Sequence, residues 1–315
     1  MSSLRDPVVQ RLLGGLLAAL VLGTVTGRLL ALRARTEAAR ATVANMNARI
    51  KAWWVMSVVF SIALLTGRVG SVVLFALLSF LALREFITLI DSSRADHRAL
   101  LVAFFLATPA QYVLVVTEWY GLFAIFIPVY VFLLIPAVLA VIGETRDFLG
   151  RTATIQWGLM ICVYAISYAP ALLLLDIPGY GGREALLLFY LVAVVQLSDV
   201  LQYVFGKLFG RHKIAPNVSP NKTWEGFVGG VLCATLIGTA LYWATPFTPL
   251  EAAAMSLLVT LVGFLGGLVM AAIKRDRGVK DYGALIPGHG GVLDRIDSLT
   301  FAAPVFFHVT RFFFQ

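Results

Sequence analysis

Ten apolar runs follow one another along this chain, most of them close to the roughly 20 residues that a helix needs to cross a bilayer. They lie at 12–32, 52–67, 69–83, 99–117, 120–142, 154–175, 185–205, 227–245, 251–273 and 296–313. The composition agrees with that pattern. Of 315 residues, 60% are hydrophobic and 13% charged, about half the charged share of a soluble domain. Too few charges remain to cover a soluble surface, and ordinary glycine and proline contents with two cysteines exclude collagen-like, disordered and disulfide-framework chains. The expected fold is an all-α, polytopic integral membrane helix bundle of about ten transmembrane helices, with eight to ten as the range. The second and third runs are short and separated by Arg68 and Gly70; they read as two tilted helices, an incomplete hairpin, or one bent helix. Cys162 and Cys233 sit inside apolar runs without metal-ligand spacing and are expected to pack. The first run lacks a signal-peptide cleavage pattern.

Basic residues set the orientation. Residues 28–51, 84–98, 143–153, 206–226 and 274–295 hold twenty of the 25 lysines and arginines; Arg5, Arg11, Arg68, Arg183 and Arg311 are the remainder. Since cations concentrate on the cytoplasmic side, those five segments are expected there, with both termini outside. The net charge of +8 then reflects topology and anionic partners at the lipid bilayer, and no nucleic acid is required. Two regions are expected: N-terminal transmembrane helices over 1–183, with an Ala/Arg-rich amphipathic segment at 28–51 lying on the headgroups, and a C-terminal region over 184–315. The latter carries the polar loops 206–226 and 274–295, both on one predicted face.

The second of these loops is the richer. Lys274, Arg275, Arg277 and Lys280 place four cations within seven residues, which suits a polyanion such as a triphosphate. Asp281, Asp294 and Asp297 are hard oxygen donors of the kind Mg²⁺ takes, one or two at a time with water and substrate phosphates. Gly288, Gly290 and Gly291 let backbone N–H groups approach phosphate oxygens. Asp294 and Asp297 share one face of a helix starting near 294. Together these residues describe metal-assisted phosphoryl or nucleotidyl transfer. Loop acids that merely balance loop bases would be the blander explanation, but Asp294 and Asp297 stand at the entry of an apolar run, where unpaired carboxylates are costly. The other loop offers Lys207, Arg211, Lys213, Ser219 and Lys222 to a nucleotide phosphate or a lipid headgroup; its S-P-x-K-T lacks the P-loop spacing, and Ser219 or Thr223 also suits a helix cap. Asp199, beside Gln196 and Ser198 within a span, is a functional candidate by its cost alone.

At these residues the sequence resembles the phosphatidate cytidylyltransferase (CDP-diacylglycerol synthase) family, as a divergent branch. That family's C-terminal signature, S-x-[apolar]-K-R-x4-K-D followed by H-G-G-[apolar]-x-D-R-[apolar]-D, is met here from Ala271 to Asp297 at every position but the first. The upstream F-G-K-x-F-G-[KR]-H-K…S-P-x-K-T-W-E-G is met over 205–226. The resemblance implies transfer of a cytidylyl group from CTP to phosphatidate, giving CDP-diacylglycerol and pyrophosphate, with Mg²⁺. It assigns Asp294 and Asp281 to the metal, with Asp297 and Asp199 as further ligands. Catalytic work would fall to Asp294, Asp281, Lys280 and Lys222. Substrate would be held by Lys274, Arg275, Arg295, His289, Gly290, Gly291, Ser219 and Lys213. The family's G-D-L-x-x-S, whose Asp and Ser contribute to the metal site, is absent: Gly267 and Ala271 stand in those two places. Around Asp199 the family's D-[ST]-x-A-Y is Asp199-Val200-Leu201-Gln202-Tyr203. The implied setting is a bacterial cytoplasmic membrane with the active face cytoplasmic, and a homodimer is compatible with the sequence. Two other functions compete: a non-catalytic or altered-specificity relative that binds nucleotide or lipid phosphate, motivated by Gly267 and Ala271, and a transporter, disfavoured by the absence of inverted repeats.

Overall fold

The structure is a computed structural model describing residues 6–33, 35–90, 94–286, 288 and 290–315. Its elements are long helical rods in chain order: α1 (Pro7–Arg33), α2 (Glu37–Leu65), α3 (Gly67–Thr88), α4 (His97–Val116), α5 (Tyr120–Ile142), α6 (Phe148–Leu174), α7 (Glu184–Phe209), α8 (Trp224–Ala240), α9 (Pro249–Asp276) and α10 (Leu293–Phe314). Eight of them are long and apolar enough to cross a membrane; α8 is apolar but shorter, and α10 carries charges in its first turns. Each coincides with one of the ten apolar runs. The protein is an all-α polytopic membrane bundle.

The ends of the rods follow local chemistry. Thr36 caps α2, its hydroxyl accepting from the Ala39 amide at 3.2 Å. Residues 28–51 therefore form no separate helix: 28–33 are the end of α1 and 37–51 the polar half of α2, whose apolar half is 52–65. The ambiguous 52–83 region is two helices broken at Thr66–Gly67, where Gly67 adopts φ 77°. Thr248 and Glu251 cap α9 reciprocally, with Pro249 in the first turn. Wide π turns interrupt α4, α5 and α6 at Val102–Ala107, Phe126–Val131 and Met160–Tyr164. In α4 the turn precedes Pro109, and the Thr108 hydroxyl bonds to the Ala103 carbonyl at 2.8 Å.

Helices α3, α6, α7, α9 and α10 form the centre, packed around Phe75, Leu83, Tyr168, Tyr190, Leu191 and Phe306. Tyrosine hydroxyls that enter this core are paired, whereas Gln111 Oε1, Thr152 Oγ1 and Thr310 Oγ1 are buried without a partner among the described residues. The Tyr112 hydroxyl meets Ser79 at 2.6 Å and the Phe75 carbonyl at 2.9 Å, and Tyr190 meets Ser256 at 2.6 Å. By contrast α1 and α2 pack chiefly on each other, leaving Leu17, Leu22, Leu29 and Leu32 exposed as a lipid-facing surface requires.

Candidate active site

Loop 206–226 is ordered by its own residues. Helix α7 continues through Phe205, Gly206 and Lys207 to Phe209. There follows a small antiparallel hairpin, β1 (Lys213–Ala215) and β2 (Ser219–Thr223), with Lys213 opposite Thr223 and Ala215 opposite Ser219. Thr223, rather than Ser219, then caps α8, accepting from the Gly226 amide at 3.2 Å. The Glu225 carboxylate takes the Arg211 amide at 3.0 Å and the His212 ring at 2.6 Å. Those donors, the Arg211 amide foremost, hold the Glu225 carboxyl down at about 2. Glycines make the close approach of α7 and α8: a Cβ at Gly226 would stand 2.7 Å from the Gln202 carbonyl.

The second loop is built around Asp294, which is only 5% exposed. One oxygen accepts from Lys274 Nζ at 2.7 Å; the other accepts from the Tyr282 amide at 2.7 Å and the Gly291 amide at 3.0 Å. Gly290, at φ 82°, lets the chain turn here: a Cβ on it would stand 3.0 Å from Asp294 Oδ2 and 3.2 Å from Asp281 Cβ. Asp281 and Asp294 thus flank one glycine, with Asp281 and Lys280 exposed beside it. Arg275 ties the two loops together, donating to the Val218 carbonyl at 3.3 Å and the Val279 carbonyl at 3.0 Å. Lys213 is exposed and Ser219 half-buried, both at the hairpin. His289 lies outside the described residues.

One participant was not anticipated from the sequence. Glu85, on α3, accepts from the Val292 and Leu293 amides, each at 2.9 Å, and so caps the start of α10 with a negative charge. Its only signal in the sequence is an acid at the end of the third apolar run. The polar half of α2 arrives at the same loop, with Ala48 and Arg49 against Gly288.

A second cluster lies one turn further along α10. Asp199 of α7 lies within electrostatic reach of Asp297, Lys222 and Arg295, and the Ser298 amide donates to Asp297 at 2.7 Å. Asp297 in turn is within electrostatic reach of Lys274, Lys222 and Arg295. Lys222 comes from β2, outside the spans. Burial pushes its ammonium down from the usual lysine range, and Asp199 and Asp297 oppose that shift. Gln196 fixes the backbone here, donating to the Arg295 carbonyl at 2.7 Å. Arg295 Nε is buried with no hydrogen-bond partner among the described residues. On the other side of Tyr282, an open groove of about 300 Å³ runs between α3, α6 and α9, lined by Phe86, Leu89, Ile90, Trp157 and Ile273, with Asp276 and Arg277 also lining it.

Fold and site together define a polytopic membrane protein whose buried and half-buried acids and bases gather at one end of the helix bundle, drawn from α3, α7, β2, α9 and α10. It belongs to the cytidylyltransferase family, which it matches over residues 47–313. The chain is 40% identical over 309 residues to Uncharacterized protein YnbB of Escherichia coli (strain K12), covering 97% of this chain and 99% of that one. Phosphatidate cytidylyltransferase of Staphylococcus aureus (strain COL) is 43% identical over 118 residues, 37% of this chain and 45% of that enzyme. The enzyme of the same name from Mycobacterium leprae (strain TN) is 46% identical over 119 residues, 37% and 38% of the two chains. The match to these two enzymes therefore spans less than half of their length.

Proposed function

We propose that this protein transfers the cytidylyl group of CTP to phosphatidate, or a related lipid phosphate, at the cytoplasmic face of a bacterial inner membrane. The observation that carries the reading is the gathering of both polar loops at one end of the bundle, where Lys274 pairs with Asp294 at 2.7 Å and Arg275 bonds to the Val218 carbonyl of the other loop at 3.3 Å. In the reaction, an oxygen of the lipid phosphate forms a bond to the α-phosphorus of CTP. The bond from that phosphorus to the β-phosphate oxygen breaks, and pyrophosphate leaves. Lys222, Lys274 and Arg295, with the exposed Lys280, neutralise the triphosphate and the leaving group. Arg295 Nε supplies a buried donor awaiting an acceptor. Asp294 fixes Lys274 and the glycine turn, so it acts by positioning. The apolar groove beside Tyr282 is suited to the upper part of an acyl chain, which would bring a lipid headgroup to the site from the bilayer.

Mg²⁺ fits this donor set in a limited way. No group of three or more His, Cys, Asp or Glu able to hold a metal occurs among the described residues. Asp199 and Asp297 supply two carboxylates, within the one or two that Mg²⁺ usually takes before water and phosphate complete its shell. Asp294 already shares its oxygens among three donors and is the poorer candidate. When bound, the ion would neutralise charge on the triphosphate.

The purified protein with CTP, Mg²⁺ and phosphatidate is expected to form CDP-diacylglycerol and release pyrophosphate in equal amounts. Asp297→Asn and Asp294→Asn are each expected to lower that rate by about a hundredfold. CTP binding without product on phosphatidate or any other lipid phosphate would favour instead a non-catalytic relative. Wild-type turnover in Asp297→Asn would remove the role given to that carboxylate.

A further inference from the structure

Helix α10 runs from the loop-bearing end of the bundle to the far end, where Phe314 contacts Phe247 of the α8–α9 connection at 4.9 Å between ring centres. At about 1.5 Å per residue, Arg311 stands roughly 26 Å beyond Asp294 along that rod, close to the thickness of a bilayer's hydrocarbon core. A groove of about 540 Å³ opens there between α5 and α10, lined by Tyr120, His308, Val309, Arg311, Phe312 and Phe313. The Arg311 guanidinium lies over the Tyr120 ring, 3.2 Å from its centre, and His308 Nδ1 meets the Tyr120 hydroxyl at 3.4 Å. No carboxylate stands within 4 Å of Arg311 among the described residues, whereas Arg68 and Arg183 at the same end are matched by Glu118 and Asp6. Glu118, the acid closest to Tyr120 in the chain, is thereby taken. The tyrosines behind the groove are committed too: Tyr168 donates to the Tyr164 hydroxyl at 2.8 Å, and Tyr164 to the Ala124 carbonyl at 2.9 Å.

We propose that this groove holds an anionic phospholipid of the leaflet opposite the polar loops, its headgroup phosphate on Arg311 and His308 and its acyl chains along Val309, Phe312 and Phe313. Stacking on Tyr120 occupies one face of the guanidinium and leaves its in-plane N–H groups for an acceptor, and phosphate takes such donors two at a time. Phe312 and Phe313 are 80% and 70% exposed, a surface that acyl chains cover and a soluble phosphate does not. A headgroup of net negative charge supplies the anion that Arg311 lacks within the protein, while a zwitterionic one brings a competing cation to its own phosphate. The groove lies a bilayer's thickness away from Lys274 and Asp294, so it takes no part in the proposed reaction and its test needs no turnover.

The probe is phosphatidylglycerol with a photoreactive diazirine in one acyl chain, present in trace amount in phosphatidylcholine nanodiscs that hold the full chain. After irradiation, mass spectrometry of peptides is expected to place adducts on the segment 309–313. A phosphatidylcholine probe with the same diazirine should label that segment about tenfold less. Arg311→Gln should lower the phosphatidylglycerol adduct there to the phosphatidylcholine level and leave adducts elsewhere on the chain unchanged. Glycerol phosphate added to the buffer should leave the labelling as it was; suppression by it would assign the groove to a soluble phosphate and overturn the lipid. Equal labelling by the two probes would also overturn the proposal, as would undiminished labelling of a folded Arg311→Gln protein. Cross-links between two copies through 309–313, without a lipid adduct, would give the groove to a second chain instead. Should Arg311→Gln fail to fold, the comparison of the two probes on the wild type decides the question alone.

Discussion

Glu85 shows how much a single side chain can carry at a helix start. Its two oxygens satisfy the Val292 and Leu293 amides, which head α10 and have no acceptor inside the helix. Glu85→Ala leaves both amides unpaired in a half-buried setting and is expected to cost about 1–3 kcal/mol. The readout is an earlier thermal unfolding in detergent and faster proteolysis between residues 276 and 293; unchanged values for both would deny the capping role. Asp294 was legible beforehand because a carboxylate at the mouth of an apolar run is expensive. Glu85 obeys the same rule, yet nothing local says that its partners lie more than 200 residues away. The role of Asp294 was equally hidden. Its spacing from Asp297 suggests paired ligands, whereas three donors already hold it, and it is Asp199 from another helix that faces Asp297.

At the scale of elements, the hairpin between α7 and α8 is pinned by Glu225, which lies two residues ahead of the apolar run at 227–245. An ordinary glutamate titrates near 4.5, and here the carboxyl is held down at about 2. A depressed carboxylate contributes stability above its unfolded value, and that contribution is lost as pH falls from about 4.5 through about 2. Amide hydrogen exchange at Arg211 and His212, corrected for intrinsic rates, is therefore expected to lose protection across that window. Protection that stays level from pH 5 to 2 would remove Glu225 as the pin. Element positions were largely readable, since hydrophobic runs of span length permit little except helices. Their ends were less so. The stretch 28–51 reads as one amphipathic unit, but the Thr36 cap and the apolar continuation after Lys51 place most of it inside a single long helix. Glycine at 226, marked in the sequence as part of a motif, proves to be a packing residue where α7 and α8 nearly touch.

For the whole molecule, the distribution of cations predicts an orientation that labelling can check. Asn217→Cys in the hairpin and Gly181→Cys between α6 and α7 stand at successive connections on either side of α7. A membrane-impermeant maleimide is expected to modify the first only from the cytoplasmic side and the second only from the opposite side. Labelling of both from one side would contradict an odd number of crossings between them and remove the cytoplasmic assignment of the site. The class of fold followed from the sequence by itself, because a chain with 13% charged residues has nowhere but lipid to place its surface, and a helix in lipid satisfies its own backbone. The list of acids and bases able to do chemistry was also fixed there, since burying a charge is costly enough to betray its purpose. Which of those charges meet was decided only in three dimensions. Pairing of Lys274 with Asp294, and of Glu85 with the head of α10, depends on how separate helices pack, and electrostatic attraction acts through space without regard to distance along the chain.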